Sequence, residues 1–403
     1  MRSFIVGSSS GTGVYAIITL VITAFTASAC SSGGSSGSGA ESPELESGQA
    51  ASLVIGQQSL TEGERNQDGD QPDMSSLDRA YGAPLLEDGV LYVPDYGNNR
   101  VLAFEQGIPD VNGQVADFVL GQDSGSDSDS GTAADAFNGP GSMLTHDGKF
   151  LLADLSNNRV LIWDEAPTAN TPADTVLGQD DMQSSGHGCD ASSMRQPHAM
   201  AIVEDKLVVS DTRNNRLLVW EEFPTENGQA ADAVIAQPDL ESCDGYSDVD
   251  TTGNRLSRPL DIWSDGQRLV VPDLDNHRVL IWNAWPGTGE ETRDADVVLG
   301  QTQLTGSDSG VSESKLNFPL GAYYDGVRLF VTDASNHRVL VWESWPETHG
   351  APADVVIGQD DFESAEMPDE PTASAVANVY GVLSAEGKML VASWEFSRVL
   401  IFE

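Results

Sequence analysis

Two ionisable residues of this chain, His198 and Asp261, take nearly the same position in two neighbouring copies of a sequence repeat. His198 lies 13 residues before Asp211, and Asp261 lies 12 residues before Asp273. These two aspartates mark the same point in their copies. An imidazole near a carboxylate can exchange protons with a substrate or hold a cation. This pair is the chain's candidate for acid–base or metal chemistry, provided that the fold brings the two copies together.

The other copies of the repeat supply further candidates for a ligand-binding wall. Counting 13 residues back from each marker residue (five aspartates and Ser393) gives Gly82, Gly141, His198, Leu260, Leu320 and Tyr380. The residue type at this position differs from copy to copy although the surrounding pattern repeats. Such a difference is typical of a functional site added to a repeated fold, and equally of ordinary sequence variation in a channel wall. We predict ligand contacts from His198, Leu260, Asp261, Leu320 and Tyr380.

An acidic loop near residue 70 is a second candidate site. Its segment "NQDGDQPD" places oxygen-bearing side chains around a glycine, as calcium loops do. The residues concerned are Asn66, Asp68, Asp70 and Asp73. The loop lacks the distal glutamate of an EF-hand. It is therefore either a solvated surface loop or a weak Ca²⁺ site, and Ca²⁺ is the one cofactor that the sequence suggests.

Internal repetition predicts the elements that position these residues. Six segments share the pattern of "NNRVLIW", with arginines 57 to 62 residues apart. The arginines are Arg100, Arg159, Arg216, Arg278, Arg338 and Arg398. Each copy holds four short β-rich segments between turn residues, without helical periodicity. Four-stranded units repeated around an axis are the blades of a β-propeller, so we predict an all-β, six-bladed propeller.

The last copy indicates how the ring closes. It ends on "SRVLIFE" at residues 397–403, and no "ADxVxGQ" segment follows it. The matching segment, "ASLVIGQ", stands at residues 51–57. We predict that 51–57 pairs beside 397–403, which removes the open sheet edges of an unclosed array. The propeller is accordingly assigned to residues 51–403.

A recurring aspartate precedes the arginine by five residues in the first five copies. These aspartates are Asp95, Asp154, Asp211, Asp273 and Asp333. A residue that recurs in every blade is expected to do one architectural job, here a buried charge pair that locks a tight turn. His277 and His337 fall in this motif and are predicted to be turn residues rather than ligands. The sixth copy has Ser393 in place of the aspartate, so Arg398 must find another partner.

Cys189 and Cys243 lie in equivalent polar loops that join blade 2 to blade 3 and blade 3 to blade 4. Such crossover loops lie on one face of a propeller, and an exported protein meets an oxidising compartment. We predict a disulfide between them. A zinc site that includes His187 would lack a fourth ligand and has no zinc-like spacing.

The first 50 residues are typical of an export signal followed by a tether. An apolar stretch at 14–29 is short for a membrane span and runs into "ASAC", which resembles a bacterial lipobox. We predict a lipoprotein signal peptide at 1–29, lipidation of Cys30 and a Ser/Gly-rich tether at 30–50. Ala27-x-Ala29 would also serve ordinary signal peptidase. The expected location is the cell envelope, at the outer membrane or the cell surface.

The charge of the chain excludes some partners. With 63 acidic residues against 20 basic ones, the formal net charge is -43. Such a surface repels nucleic-acid phosphates and anionic lipid head groups. We therefore expect no nucleic-acid partner, membrane contact only through the lipid anchor, and a monomer.

The pattern of proline, an apolar strand, "DG" and then "LxVxDxxNxRV" resembles the NHL repeat over residues 51–403. The "VLGQ" segment with a long Ser/Gly loop behind it is similar to bacterial NHL-repeat proteins in particular. This resemblance implies a propeller but no single activity, because NHL propellers include binding modules, sensor domains and a peptide-amidating lyase. The lyase is expected to hold its metal with several channel histidines, and His198 is the only histidine of this chain at such a position. Lactonase-like propellers hold calcium with a Glu/Asn/Asp set, of which Asp261 and Asn378 are present.

These observations favour a non-catalytic binding module for a protein, peptide or glycan that meets a propeller face. Long loops between blades, such as residues 57–76 and 121–140, offer a variable surface of the kind that carries binding. The alternative is a metal-dependent lyase or a lactonase-like enzyme at the central channel, centred on His198 and Asp261.

Overall fold

The computed structural model describes residues 44–245 and 251–403, and these form six four-stranded antiparallel sheets arranged as the blades of a ring. The chain is thus an all-β, six-bladed propeller, as the repeat predicted. The predicted signal peptide, Cys30 and the first part of the tether lie outside the described residues. Within the described ranges, no helix has the length and apolar character needed to cross a membrane.

Each blade runs from an inner strand at the channel to an outer strand at the rim. Blades 1 and 2 comprise Leu85–Glu87, Val90–Asp95, Arg100–Phe104 and Phe118–Leu120, then Pro140–His146, Lys149–Asp154, Arg159–Trp163 and Thr175–Leu177. Blades 3 and 4 comprise Pro197–Val203, Lys206–Asp211, Arg216–Trp220 and Ala233–Ile235, then Trp263–Ser264, Leu269–Asp273, Arg278–Trp282 and Val297–Leu299. Blades 5 and 6 comprise Pro319–Tyr324, Leu329–Asp333, Arg338–Trp342 and Val355–Ile357, then Val379–Ala385, Lys388–Ser393, Arg398–Phe402 and Leu53–Ile55.

The described residues also form seven short 3-10 turns. They are Arg65–Asp68, Tyr96–Asn98, Leu155–Asn157, Thr212–Asn214, Leu274–Asn276, Gly289–Glu291 and Ala334–Asn336. Five of them join the second strand of a blade to its third strand. Because each outer strand also ends beside such a turn, these turns and the crossover loops share one face, which we call the turn face.

The third strands are apolar on both sides because each blade packs between two neighbours. In Arg159–Trp163 every residue is buried. Val160 and Ile162 contact the core shared with blade 3, whereas Leu161 and Trp163 contact the core shared with blade 1. A strand covered on both faces has a continuous apolar run rather than alternation, which explains "RVLIW".

The ring closes through the N-terminal segment of the propeller. Leu53–Ile55 pairs antiparallel with Arg398–Phe402, with Val54 opposite Leu400. The predicted closure is confirmed. Contacts also extend a little earlier, because Leu45 is buried and the backbone N–H of Val356 donates to Ser47 Oγ at 3.2 Å. Part of the segment assigned to the tether therefore packs against the propeller.

A buried Asp–Arg layer lies beneath the turn face in blades 1–5. The arginine Nε and aspartate Oδ2 are 2.6 to 2.8 Å apart in all five blades, and both side chains are fully buried. The next asparagine donates to the same Oδ2, as Asn157 does to Asp154 at 2.8 Å. The other carboxylate oxygen accepts a backbone N–H, such as that of Asn138 at 2.7 Å. The predicted turn lock is present, with every carboxylate oxygen satisfied.

His277 and His337 end two of these turns in left-handed conformation. The Nδ1 of each accepts a backbone N–H from the next blade, from Phe318 at 3.1 Å and from Asn378 at 3.2 Å. Asn158 Oδ1 makes the same link from blade 2 to blade 3. Both histidines are thus turn residues, as predicted, and their ring nitrogens join neighbouring blades.

The two loop cysteines form the predicted disulfide. Cys189 and Cys243 are bonded, with their Cα atoms 6.3 Å apart. The bond joins the crossover loop between blades 2 and 3 to the crossover loop between blades 3 and 4 on the turn face.

Candidate functional site

Residues from all six blades line one small cavity in the central channel. The five predicted contact residues lie there, together with Tyr81, Gly82, Ala83 and Ser142. The centre of a water molecule has about 10 Å³ available, which is room for about one water. These residues therefore lie together, as counting within the repeat indicated. Their role as ligand contacts stays a prediction.

Irregular pairing of the inner strands aims these side chains at the channel. Pro197 pairs with Asp211, but regular pairing resumes only at Met200, so His198 and Ala199 lie at a register shift. Blades 2, 5 and 6 shift register at the equivalent place. A bulge re-aims side chains away from the plane of a sheet. The channel wall is therefore built from the residues that leave the ladder.

His198 is almost fully buried and is held at one ring nitrogen. Its Nδ1 lies 2.9 Å from the carbonyl oxygen of Gln196 and 3.0 Å from Thr212 Oγ1. Burial lowers the pKa of His198 to about 4. The imidazole is neutral at neutral pH, so Nδ1 carries the proton that the carbonyl oxygen accepts.

Asp261 joins blade 4 to blade 5. Its Oδ1 accepts the backbone N–H of Ile262 at 2.9 Å, and its Oδ2 accepts that of Ala322 at 3.0 Å. Burial raises the pKa of Asp261 to about 6, although the two amide donors favour the charged form. The carboxylate has no counter-ion among the described residues.

Four aromatic rings crowd the channel mouth at blades 6 and 1, on the turn face. Tyr81 and Tyr380 have ring centroids 4.3 Å apart, and Tyr96 and Trp394 have centroids 5.3 Å apart. The guanidinium of Arg79 lies 5.5 Å from the Trp394 ring. We call these four rings the aromatic mouth. The repeat did not predict it, although Tyr96 and Trp394 both directly follow a marker residue, where the other blades have Leu, Thr, Leu and Ala.

The acidic loop uses two of its four predicted calcium ligands in local hydrogen bonds. Asn66 Oδ1 accepts from Asn98 Nδ2 at 2.8 Å, and Asp73 Oδ1 accepts from Ser75 N at 2.7 Å. Asp68 and Asp70 are exposed. In the described part of the chain no three His, Cys, Asp or Glu side chains are grouped to hold a metal ion. The Ca²⁺ site stays a prediction.

Comparisons with known proteins return the fold and no family. No protein-family model matches the chain, and no curated protein matches it. Solved structures similar to it include a structural genomics protein of unknown function from Bacteroides thetaiotaomicron (TM-score 0.46, 12% identity, 88% of this chain and 75% of that one). Virginiamycin B lyase from Staphylococcus aureus is also similar (TM-score 0.42, 9% identity, 83% and 98%). So is a luciferin-regenerating enzyme (TM-score 0.43, 10% identity, 81% and 92%). Likenesses this distant carry no argument about activity.

Proposed function

We propose that this chain is an exported NHL-type propeller, anchored through a lipid on Cys30, that binds a ligand without transforming it. One observation carries the proposal. His198 and Asp261 of the channel wall already have partners within the protein, at Nδ1 of the imidazole and at both oxygens of the carboxylate. The cavity that they line has room for about one water.

Catalysis at the channel would require a side chain within reach of a bound substrate. Both oxygens of Asp261 accept backbone amides, and one of those amides belongs to the next blade. His198 Nδ1 is held by Gln196 and Thr212. These bonds account for both residues as parts of the wall. The alternative, a metal-dependent lyase or lactonase-like enzyme, is favoured only by the pKa of Asp261, which suits a base near neutral pH.

The turn face is the surface on which we expect the ligand. It carries the crossover loops, the aromatic mouth and the disulfide-linked loops, and loops held on a rigid scaffold are where binding residues usually lie. Aromatic side chains with polar edges offer stacking area to a sugar or a peptide. The ligand is accordingly a protein, a peptide or a glycan.

The test follows binding and turnover in the same samples. The purified full chain is titrated with panels of polysaccharides and peptides by calorimetry, and each ligand is then examined by NMR for chemical change. We expect binding without conversion in the wild-type chain and equally in His198→Gln and Asp261→Asn. Conversion that disappears in both variants, together with a stoichiometric metal that both variants lose, would establish the enzyme instead.

The anchor has a separate test. Expression in a bacterial host with a clickable fatty acid should label the wild-type chain and leave Cys30→Ala unlabelled. A labelled Cys30→Ala variant, or an unlabelled wild-type chain in the soluble fraction, would exclude lipidation at this residue.

A further inference from the structure

A polar pocket lies on the turn face between blades 2 and 3, outside the channel. Its volume is about 350 Å³. Its lining residues are Ser156, Asn158, His187, Arg195, Gln196 and Arg213. We call it the arginine pocket. No apolar side chain lines it, and this separates it from an ordinary groove for peptide side chains, which is mostly apolar.

The two arginines of the pocket have no counter-ion. Neither Arg195 nor Arg213 has a carboxylate within 4.0 Å in the described part of the chain. Both are exposed. With 63 acidic residues available to 20 basic ones, two neighbouring guanidinium groups without a carboxylate are unexpected. The pocket therefore concentrates positive charge on a protein that is otherwise strongly negative.

A hydrogen bond holds one of the two cationic side chains, that of Arg213, in place. Arg213 lies on the short turn Thr212–Asn214, and its Nε donates to Gln196 Oε1 at 2.8 Å. Its remaining guanidinium nitrogens have no partner among the described residues. A planar guanidinium fixed at one nitrogen can still present two parallel N–H groups to a carboxylate.

The wall that carries His187 is also fixed. The carbonyl oxygens on both sides of His187 accept side-chain amides, Ser185 from Asn158 at 3.0 Å and Gly188 from Asn214 at 2.7 Å. Two residues further on, Cys189 is bonded to Cys243. The disulfide therefore holds one side of the arginine pocket, and preorganisation of this kind reduces the entropy lost on binding.

The positive field of the pocket reaches the channel mouth. The charge of Arg213 contributes, after burial, to the lowered pKa of His198, and it partly offsets the raised pKa of Tyr81. Tyr96 of the aromatic mouth lies against Gly139, where blade 2 begins, since a Cβ at Gly139 would come within 2.6 Å of the Tyr96 ring. A ligand bound in the pocket and extending towards the channel would meet an aromatic ring.

We propose that the arginine pocket binds the carboxylate of an acidic sugar, a uronic acid residue of a glycan. The two arginines bind the carboxylate, and the Ser156 hydroxyl and the Gln196 side-chain amide nitrogen bind sugar hydroxyls. Asn158 shapes the pocket, because both ends of its amide are already hydrogen-bonded within the protein. A uronic acid glycan carries one charge on each sugar, which is a lower charge density than that of a polyphosphate, so the net charge of -43 repels it less at longer range. The proposal rests on the proposed binding function and names the class of ligand.

The test compares acidic and neutral sugars of matched length. The purified full chain is titrated by calorimetry at low salt with oligogalacturonides and with the corresponding neutral galacto-oligosaccharides. Arg213→Gln and Arg195→Gln should each weaken oligogalacturonide binding by about tenfold. Arg293→Gln is the matched control, since it removes one charge from the opposite face, where Arg293 pairs with Asp296, and should leave the affinity unchanged. Thermal melting of each variant verifies folding, and either pocket variant suffices if the other does not fold.

Reduction supplies an independent readout. A reductant that opens the Cys189–Cys243 bond should weaken oligogalacturonide binding several-fold in the wild-type chain while the melting curve still shows a folded protein. The same reductant should have little further effect on Arg213→Gln.

Four results would overturn the assignment. They are equal affinity for neutral and acidic sugars, wild-type affinity in both arginine variants, arginine-dependent binding of inorganic phosphate in preference to galacturonate, and arginine-dependent binding of peptide C-termini in preference to galacturonate. Neutral-glycan or peptide binding that ignores the arginines would leave the binding function standing and remove only this site. Ligand turnover would instead remove the proposed function.

Discussion

The arginine that each blade buries beneath its turn has different hydrogen-bond partners in blade 6 and in blades 1–5. In blades 1–5 the guanidinium contacts an aspartate, for example Arg338 Nε at 2.8 Å from Asp333 Oδ2. In blade 6 the aspartate position holds Ser393, and the Arg398 guanidinium donates only to carbonyl oxygens, such as those of Leu60 at 2.6 Å and Ala375 at 2.7 Å. Its Nε has no partner among the described residues. Burial lowers the pKa of Arg398 to about 10.

The difference separates two roles of the repeated arginine. One role is the charge pair, which blade 6 lacks. The other is the gathering of loop carbonyls, which blade 6 keeps, since Arg398 holds the N-terminal segment at Leu60 and the preceding crossover loop at Ala375. Blade 6 is also the blade assembled from both ends of the propeller. The carbonyl contacts are therefore common to all six blades, and the counter-ion is dispensable where the ring closes.

The largest effect is expected from removing the closing strand. Deletion of residues 51–57 takes away Val54 and Ile55, both fully buried, and a buried side chain of this size contributes about 1.5–3 kcal/mol. With the lost ladder hydrogen bonds we expect the free energy of unfolding to fall by about 5 kcal/mol or more. Urea unfolding measures the loss. Deletion of residues 34–40 in the predicted tether is the control, and an unchanged midpoint after removal of 51–57 would contradict the closure.

Replacing the buried arginine by methionine should cost more stability in blade 5 than in blade 6. Arg338→Met leaves the fully buried Asp333 without a counter-ion, whereas Arg398→Met removes a charge that had none. Arg338→Met removes three hydrogen bonds to carbonyl oxygens and Arg398→Met removes four, so a larger loss in Arg338→Met cannot come from these contacts. We expect Arg338→Met to lower the free energy of unfolding by about 3–5 kcal/mol more than Arg398→Met does. Equal losses in urea unfolding would show that the charge pair adds nothing to the carbonyl contacts.

The channel wall provides a third case, in which buried ionisable groups have hydrogen bonds and no counter-ion. The pKa of His198 falls from 6.5 to about 4, so its neutral form contributes stability that is present above pH 6.5 and is lost as the pH falls towards 4. The full contribution is about 3 kcal/mol. Relative to wild type, His198→Gln should therefore gain about 3 kcal/mol in unfolding free energy between pH 7 and pH 4.

Asp261 should show the opposite sign. Its pKa rises from 3.8 to about 6, so the folded state binds the proton more tightly, and this stability is lost as the pH rises from 4 to 6. Asp261→Asn should gain about 2.5 kcal/mol relative to wild type between pH 4 and pH 7. Denaturant titrations across this range measure both variants. Parallel pH profiles of variant and wild type would show that the residue is not buried as described.

The smallest effect is expected from giving Arg398 a counter-ion. Ser393→Asp places a carboxylate where the other five blades have one, and it should stabilise the protein by about 1 kcal/mol. Ser393→Asn adds the same bulk without the charge and serves as the control. A destabilised Ser393→Asp with an unaffected Ser393→Asn would mean that Phe396, which stands in the place of the paired asparagine, leaves the carboxylate without sufficient hydrogen-bond donors.

The repeated features could be predicted because each depends on short-range signals that occur many times. Asp, Asn and Arg at fixed spacing specify a turn, and apolar runs specify a strand covered on both faces. Even the channel positions of His198 and Asp261 followed from counting within the repeat. The cysteine pairing followed in the same way, because equivalent loops of neighbouring blades share a face.

The arginine pocket and the aromatic mouth could not be predicted in this way. Arg213 lies in the turn of blade 3, whereas Arg195 and His187 lie in the crossover loop before that blade. Nothing in their spacing indicates that a guanidinium lacks a carboxylate, because a counter-ion can come from any blade. The hydrogen-bond partners of Arg398 could not be predicted either, since its acceptors at residues 60 and 375 are remote from it in sequence.

The amino-acid sequence by itself determined the number of blades, the strands of each blade, the closure of the ring and the disulfide. These depend on patterns repeated at fixed intervals, so local signals suffice. The tertiary structure alone decided how wide the channel is, which side chains there are already bonded, and where positive charge is left without a partner. Those properties depend on distances between residues from different blades, and such distances exist only once the ring has closed.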